Sequence, residues 1–450
     1  MKKIFIIFSV LFFSNLKVYA QNNQLTLEES INISFENSEE LKIAESRIVS
    51  NKAKIKEVKS LFLPQLKLNA SYLRQSNVDP YFIIIPFSAQ PLQLSEVILN
   101  NYSLRVSLFQ PLYTGGRLFS SKKSAELITT SSEFDFNNEK NILASNVQVA
   151  FWNYYKALQI KRIADTTVRQ TETHINDTKN FLINGLATTS DLLKLEVQNS
   201  NAKLQQLEAA NNIELARVSF NKILGLPLSS RTELKLSRDN QHLPHLDQMN
   251  YEPKDFNLSS LTSEALNNRI ELKSLDYKIK SARENISVIK SSYYPLVSLF
   301  SNYYYQNPNL RIQPPVNEFN STWDAGVNLS WDVWNWGNTS AQVRQAEQIF
   351  VQGKLNYQQL KESIELEVNQ NYLNIIYLKE RIEVSNLAIE QAKDNYKVTK
   401  DKYNVQLATS TEIVDAETSL FQAETNLTNA IVDYRIALIK LYKSIGKKLY

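Results

Sequence analysis

Two acidic residues offer the most specific chemistry in this sequence. Glu412 and Asp415 are three positions apart, just after the segment Ala408-Thr409-Ser410-Thr411, and in a helix that spacing places both side chains on one face. Carboxylates gathered at a narrow passage attract cations, repel anions and change charge with pH. The alternative is structural, with Glu412 stabilising a helix N-terminus through the helix dipole and Asp415 in solvent. The sequence alone leaves both interpretations open.

Other kinds of site chemistry find little support. The sequence has no cysteine, no glycine-rich phosphate loop and no glycine-flanked nucleophilic serine. Two of its three histidines stand in His242-Leu243-Pro244-His245, which we interpret as a solvated linker because a zinc site needs more such ligands. We therefore predict no enzymatic activity, no metal and no cofactor.

The first twenty residues have the pattern of a secretory signal peptide. Lys2 and Lys3 precede an apolar stretch from Ile4 to Phe13, and Val18-Tyr19-Ala20 is a small-residue cleavage site. Cleavage there removes three lysines and no carboxylate, so the formal charge falls from +4 to +1. A nearly neutral chain offers no basic surface for nucleic acid.

The rest of the chain is an internal duplication. Matching residues recur 221 positions apart in the later part of each half and 231 apart in the earlier part. The pairs at 221 are Gly116 with Gly337, Phe151 with Tyr372, Ala187 with Ala408, Glu196 with Glu417, and Gly225 with Gly446; those at 231 include Leu41 with Leu272, Ile48 with Ile279, and Pro64 with Pro295. We predict a signal peptide at 1–20, structural repeats at 21–225 and 259–450, and a linker at 226–258.

The length difference between the halves falls in the two windows that contain strand-like alternation. Apolar residues alternate with polar ones after Pro64 and again before Gln110, and the same happens after Pro295 and before Trp331. Each window, at about 65–110 and 296–331, therefore predicts a β-hairpin with a loop of variable length.

Outside these windows the sequence predicts long helices. Glycine is scarce, at 8 residues, and none falls between Arg117 and Leu182, which as one helix would span about 100 Å. A turn at Asn184-Gly185-Leu186 precedes a returning helix, and the second half repeats this layout before Glu412. The second returning helix carries a coiled-coil seam of alternating large residues and alanines: Ile413, Ala416, Leu420, Ala423, Leu427, Ala430, Tyr434, Ala437 and Leu441.

The number of predicted strands indicates that several copies of the chain assemble. Four strands cannot close into a membrane barrel, because the smallest closed barrels have about eight and an open edge in lipid leaves backbone groups unpaired. Two copies would give eight strands with little lumen, whereas three would give twelve, so a trimer is favoured.

Several motifs follow one another in a characteristic order along the chain. They are Leu25-Thr26-Leu27-Glu28-Glu29-Ser30, Phe62-Leu63-Pro64, Leu108-Phe109-Gln110-Pro111-Leu112-Tyr113-Thr114-Gly115-Gly116-Arg117, the segment from Gly185 to Glu196, and the duplication itself. No single motif is specific, but their order is. In this order the chain resembles the TolC-like outer-membrane efflux proteins over almost its whole length after residue 20.

This resemblance implies a mainly α-helical, trimeric channel-tunnel. Its 12-stranded β-barrel, with four strands from each protomer, would sit in outer-membrane lipid, and a long α-helical barrel would extend into the periplasm. It implies passive export in a tripartite efflux or type I secretion system, with a periplasmic adaptor and an inner-membrane pump of the RND or ABC type as partners. The cargo is not indicated.

The resemblance also assigns roles near the two helix turns. Glu412 and Asp415 match positions where the family narrows its periplasmic mouth, and Asp191 and Tyr403 match positions that bond neighbouring helices and hold the mouth shut. The family's arginine is replaced by Ala408, so that salt bridge cannot form. For Asp191, an N-cap role is the alternative.

Four tryptophans, Trp323, Trp331, Trp334 and Trp336, crowd a strand-to-helix junction. We interpret them as membrane-interface anchors, with ordinary packing at the junction as the alternative. Two other classes of protein also carry long helical hairpins, namely a periplasmic coiled-coil adaptor and a structural scaffold. Neither needs four aromatic-rich strands.

Overall fold

The computed structural model describes residues 24–80, 82–87, 92–93, 96–235 and 256–450. The predicted signal peptide at 1–20 and the residues His242 and His245 therefore lie outside the described residues. Within the described ranges, no helix is both long and apolar enough to cross a membrane.

Eight helices dominate the described residues, and the two halves repeat one layout. The first half contains α1 (Leu27–Asn37), α2 (Glu39–Ser60), α3 (Arg117–Ile183) and α4 (Thr189–Leu224); the second contains α5 (Leu258–Asn268), α6 (Ile270–Lys290), α7 (Asn338–Asn404) and α8 (Ser410–Ser444). Both α3 and α7 have 67 residues, which at about 1.5 Å per residue is about 100 Å. The long helix predicted from Arg117 is confirmed.

The strands form one main sheet and two small ones. In chain order they are β1 (Gln24–Leu25), β2 (Gln65–Arg74), β3 (Phe82–Ile83), β4 (Leu92–Gln93), β5 (Asn100–Tyr113), β6 (Glu233–Leu234), β7 (Leu296–Asn307) and β8 (Asn320–Ser330). The main sheet has the order β2-β5-β7-β8 and is antiparallel throughout. Both predicted hairpins therefore form, and the β5–β7 pairing joins the two halves.

The two faces of this sheet differ in chemistry. One row of directly paired residues runs Leu68, Val106, Tyr303 and Trp323 across the four strands. The next row, which points to the opposite face because side chains alternate, runs Lys67, Ser107, Asn302 and Asp324. One face is thus mostly apolar and aromatic, and the other is mostly polar apart from the paired Phe109 and Phe300.

The predicted coiled-coil seam is buried between helices. Of its nine residues in α8, all are buried except Leu427, which is partly buried. The 221-residue offset relates Ala423, Ala430 and Ala437 to Ala202, Ala209 and Ala216 of α4, of which the first two are buried and Ala216 is partly buried. Alanine at these positions lets neighbouring helix backbones approach closely, whereas the large residues fill the core between them.

Helix packing leaves two helices at the edges of the helical layer. The α3 helix packs against α4 on one side and α8 on the other, and α8 packs against α7. The α4 and α7 helices share no packed interface within the described part of the chain. The helical hairpin α3–α4 of the first half and the helical hairpin α7–α8 of the second half are therefore joined by the packing of α3 against α8.

The start of the predicted linker is part of the packed structure. Strand β6 pairs in parallel with β1, and the Tyr154 hydroxyl donates to the carbonyl of Thr232 at 2.9 Å. Residues 226–235 thus hold the beginning of the first repeat against its long helix.

Gly446 is required by both its conformation and its surroundings, which allows a controlled test. Its φ is +76°, and an added Cβ would lie 2.8 Å from the carbonyl carbon of Asn268. Gly337 has a similar φ of +80° but nothing within 4 Å of the Cβ position. We expect Gly337→Ala to cost about 1 kcal/mol from backbone strain alone, and Gly446→Ala to cost a further 1–3 kcal/mol, approximately, from overpacking.

The measurement is the free energy of unfolding from denaturant titrations of the detergent-solubilised protein. Equal losses in the two variants would show that the contact with Asn268 relaxes without cost.

Candidate functional site

The candidate site is the end of the helical layer opposite the sheet, where α3 turns into α4 and α7 turns into α8. We call it the turn end; it comprises residues 174–199 and 396–418. Gly185 has φ +72° in the first turn, and Gln406 adopts the same left-handed conformation in the second, with φ +65°. These left-handed residues end the long helices, and a threonine then caps each returning helix.

Asp191 completes a capping box at the start of α4. Its Oδ2 accepts hydrogen bonds from the Thr188 hydroxyl at 2.6 Å and from the Thr188 backbone N–H at 3.0 Å. Thr188 is the N-cap and Asp191 the third helical residue, so the expectation that Asp191 itself is the N-cap is wrong. The hydrogen bonds from the Thr188 hydroxyl and backbone N–H lower the pKa of Asp191, and the Ser410 hydroxyl of α8 contributes in the same direction. The start of the second returning helix therefore lies close to Asp191.

Glu412 occupies the equivalent place in α8. Its Oε2 accepts from the Thr409 backbone N–H at 2.6 Å and from the Thr409 hydroxyl at 2.9 Å. These bonds, the backbone one first, lower the pKa of Glu412. Its side chain and that of Asp415, one turn later, are both exposed. Glu412 therefore caps its helix and still presents an ionised carboxylate to solvent, so the capping role does not exclude a role at a constriction.

Tyr403 on α7 connects the two long helices, α3 and α7. Its side chain is buried, and its hydroxyl is hydrogen-bonded to the hydroxyl of Thr178 on α3. Its ring packs edge-on against Phe181, with centroids 6.0 Å apart. Ala408, at the position where the resemblance implies an arginine, is partly buried against the apolar cluster that contains Tyr403. Apolar contact and a hydroxyl pair thus stand where the resemblance would place a salt bridge.

Sequence reasoning missed one pair at this end. His174 on α3 and Glu417 on α8 meet in the interior, with Nε2 and Oε1 3.1 Å apart and side chains 1% and 0% exposed. Glu417 follows Ile413 by four positions and precedes Leu420 by three, so the seam spacing already placed it on the buried stripe. For His174 no comparable signal exists, because its contact depends on how the two halves pack.

The four tryptophans lie at the other end of the molecule and are exposed. Trp323 is on β8, and Trp331 follows the end of that strand, where its indole N–H donates to the carbonyl of Tyr293 at 3.1 Å. Trp334 and Trp336 lie in the connection to α7, with ring centroids 5.7 Å apart in an edge-on arrangement. The exposed fraction of these side chains runs from 52% for Trp331 to 88% for Trp336. In the described ranges, no group of three or more histidine, cysteine or acidic residues could hold a metal ion.

Comparison with known proteins identifies the family. The family model described as "Outer membrane efflux protein" matches residues 31–226 and 261–447, which is most of the chain. The chain therefore belongs to the outer membrane efflux protein family. This membership locates it in the outer membrane, with extension into the periplasm, among channel proteins.

Among its relatives are two proteins named outer membrane protein TolC. The one from Vibrio cholerae is 23% identical over 436 residues, covering 95% of this chain and 91% of its own length. The one from Escherichia coli K12 is 22% identical over 406 residues, covering 87% and 76%.

Solved structures of outer-membrane channels share the fold. The CusC structure aligns with a TM-score of 0.76 at 17% identity, covering 94% of this chain and 92% of its own. The open state of the MtrE channel of Neisseria gonorrhoeae aligns with a TM-score of 0.74 at 18% identity, covering 94% and 89%.

The lowered pKa of Glu412 gives a prediction with a defined sign. A carboxylate whose pKa is lower in the folded state stabilises that state above the ordinary pKa of 4.5, and this contribution is lost as the pH falls through the folded pKa. We expect Glu412→Ala to loosen the first turn of α8 near neutral pH and to have progressively less effect in acid. Amide hydrogen exchange at residues 410–414 measures this.

Asp415→Ala is the matched control, because Asp415 is exposed on the same helix and takes no part in the capping box. A loss at Glu412 that stays constant below pH 4.5 would contradict the capping role of its carboxylate.

Proposed function

We propose that this chain forms the exit duct of a tripartite efflux or type I secretion system. Three copies would enclose one passage that carries substrates passively from the periplasm to the exterior. A periplasmic adaptor and an inner-membrane pump of the RND or ABC type would dock at the turn end. The observation that carries this proposal is the continuous apolar face of the main sheet.

That face has the dimensions and composition of a lipid-facing surface. Exposed leucines and valines, among them Leu66, Leu68, Val327 and Leu329, occupy its centre. Trp323 lies on β8 and Trp331 directly follows its last residue; the two are eight residues apart, which at about 3.4 Å per residue is roughly 27 Å. Membrane barrels carry an apolar band of about 25 Å flanked by aromatic girdles. Aromatic residues accompany each tryptophan: Tyr72, Tyr102, Tyr303 and Tyr305 near Trp323, and Tyr113, Tyr293, Tyr294, Trp334 and Trp336 near Trp331.

The opposite face suits a water-filled lumen. Its side chains are mostly polar, with the paired Phe109 and Phe300 as an exception, and several are hydrogen-bonded to each other, as in the pairs Asn302 with Asp324 at 2.7 Å and Gln306 with Ser103 at 2.8 Å. Strands β2 and β8 are the sheet edges, and each would pair with the opposite edge of another copy. Three copies would supply the twelve strands of a closed barrel with room for a passage.

The duplication supports the same assembly for the helices. By the 221-residue offset, α7 is the equivalent of α3 and α8 is the equivalent of α4. The α3–α8 contact is buried within the chain, whereas its equivalent, α7 with α4, is not made. Leu215 on α4 is 57% exposed although its equivalent in α8, Ile436, is 9% exposed. The exposed apolar stripe of α4 would therefore be covered by α7 of the next copy, giving a ring of twelve helices.

The turn end would then be the periplasmic mouth. Glu412 and Asp415 would present acidic rings to the passage, while Asp191 and Tyr403 would connect the helices that close it. Trp323, Trp331, Trp334 and Trp336 would anchor the barrel at the membrane interfaces. The rival classes, a periplasmic adaptor and a coiled-coil scaffold, give no reason for an apolar sheet face of membrane thickness.

The assembly is tested by a charge at the proposed subunit boundary. We expect the wild-type chain to fractionate with the outer membrane and to yield detergent-stable trimers. Leu215→Glu places a carboxylate in an apolar boundary, which costs several kcal/mol, so trimers should fall at least about tenfold. Gel electrophoresis without boiling and light scattering measure the oligomeric state.

Gln205→Glu is the control, because Gln205 is exposed on α4 but lies off the apolar stripe. A soluble wild-type monomer, or equal loss of trimers in both variants, would refute the assembly.

The acidic rings are tested separately by ion selectivity. Neutralising both carboxylates, with Glu412→Gln and Asp415→Asn together, should reduce the preference for cations in planar lipid bilayers, since it removes fixed negative charge from the constriction. Glutamine retains the hydrogen-bond acceptor of the capping box. An unchanged reversal potential in a salt gradient would mean that these residues do not line the narrowest part.

A further inference from the structure

A buried charged pair connects the two halves of the chain near the turn end. His174 lies about 14 Å from the end of α3, and Glu417 about 10 Å from the start of α8, at 1.5 Å per residue. Nε2 and Oε1 are 3.1 Å apart, which is ion-pair distance. Within the described part of the chain, His174 Nδ1 and both carboxylate oxygens of Glu417 have no partner that meets the geometry of a hydrogen bond. The pair therefore depends on its charges rather than on a hydrogen-bond network.

Aromatic side chains of α7 enclose this pair. The ring of Tyr403 packs edge-on against His174 with centroids 5.9 Å apart, and the Tyr396 hydroxyl lies 3.4 Å from His174 Nε2. Burial, and then the charge of Glu417, raise the pKa of Tyr396 to about 12. The Tyr396 phenol therefore keeps its proton near neutral pH.

The charged groups on the surrounding helices lie nearer the surface. On α7, Nζ of Lys400 is 5.9 Å from the Tyr396 ring centroid. Glu172 on α3 is paired with Lys203 on α4 at 3.0 Å, and both are about half exposed. On α8, Asp415 is exposed, and Glu424 lies two turns further along, where burial raises its pKa and Lys393 opposes that shift.

The pair holds one proton when it is electrically balanced. Imidazolium with carboxylate, or imidazole with carboxylic acid, carries no net charge. Adding a proton in acid leaves an unpaired buried imidazolium, and removing it in base leaves an unpaired buried carboxylate. A buried charge without its partner is strongly destabilising. The α3–α8 contact should therefore be tightest at intermediate pH and weaken on both sides.

The duplication shows that this chemistry occurs at only one of two equivalent interfaces. The 221-residue offset relates Glu417 to Glu196 on α4 and His174 to Asn395 on α7, and both of these equivalents are exposed at the edges of the protomer. An asparagine cannot exchange a proton near neutral pH. The proton-dependent contact thus joins the two hairpins of one protomer and has no counterpart between protomers.

We propose that His174 and Glu417 form a one-proton latch that positions the α7–α8 hairpin against the α3–α4 hairpin and makes opening of the mouth depend on pH. The latch rests on the proposed function, because it acts on the mouth of the duct. It holds the hairpins together at intermediate pH and releases them in acid and in base.

The test is the open probability of the channel in planar bilayers between about pH 5 and about pH 8. The wild-type chain should show a minimum inside this range. His174→Gln leaves Glu417 alone, so its openings should decrease on acidification. Glu417→Gln leaves His174 alone, so its openings should increase on acidification. The double variant should give a flat profile.

Near the wild-type minimum we expect His174→Gln to raise the open probability at least about tenfold, which is roughly 1.4 kcal/mol. Adding Glu417→Gln to His174→Gln removes the unpaired buried carboxylate, so the open probability should fall again. A merely structural contact would not reverse in this way.

Glu424→Gln is the matched control, since Glu424 lies seven residues from Glu417 on the same face of α8. It should keep a profile with a minimum. A double variant whose profile overlays that of the wild type, or single variants that shift in the same direction with pH, would overturn the latch.

A second measurement does not require a conducting channel. Amide hydrogen exchange at residues 174–178 and 413–420 in detergent should be slowest at intermediate pH in the wild-type chain relative to the double variant. If the chain forms no trimers and conducts nothing, the proposed function fails, but this comparison still decides the latch. An identical ratio of exchange rates at every pH would refute it.

Discussion

A four-stranded antiparallel sheet has two unpaired edges, and the completion of those edges is the constraint on which the rest of the structure depends. Among the described residues, strands β2 and β8 each have one edge that pairs with no other strand, on a sheet whose apolar face fits lipid. In lipid such groups must be paired, because no water is available to them. The same geometry recurs in the helical layer, where α4 and α7 stand at the edges with exposed apolar stripes. The sheet and the helical layer therefore both have two unpaired edges. A single rotation that relates neighbouring copies of the chain would pair the edges of both.

Much of the fold could be predicted because it is local in origin. The length of α3 follows from a stretch without glycine or proline, and the turns follow from Gly185 and from the threonines that cap the returning helices. The hairpins follow from alternation in two windows, and the repeat located the corresponding elements in the second half. Each of these features is encoded within a few dozen consecutive residues.

The parts that could not be predicted depend on contacts between distant segments. Alternation shows that Lys67 and Leu68 face opposite ways, but only the pairing of β5 with β7 shows which residues share a face across all four strands. Asp191 was expected at the N-cap because several residues near it could cap the helix; the hydroxyl of Thr188 takes that place instead. His174 carries no local signal, since its partner lies in the other half of the chain.

The predicted internal repeat offers a reason why the two halves differ at such positions. Equivalent residues have different surroundings, because the α3–α8 interface is formed within one chain, whereas α4 and α7 share no packed interface in the described residues. A residue such as Glu417 is then enclosed on all sides, whereas Glu196 stays exposed in the protomer. A charge that is enclosed must have a partner or be lost, while an exposed one is free of that requirement. A buried pair on one side only is therefore the outcome expected when equivalent sequences occupy interfaces that differ in burial.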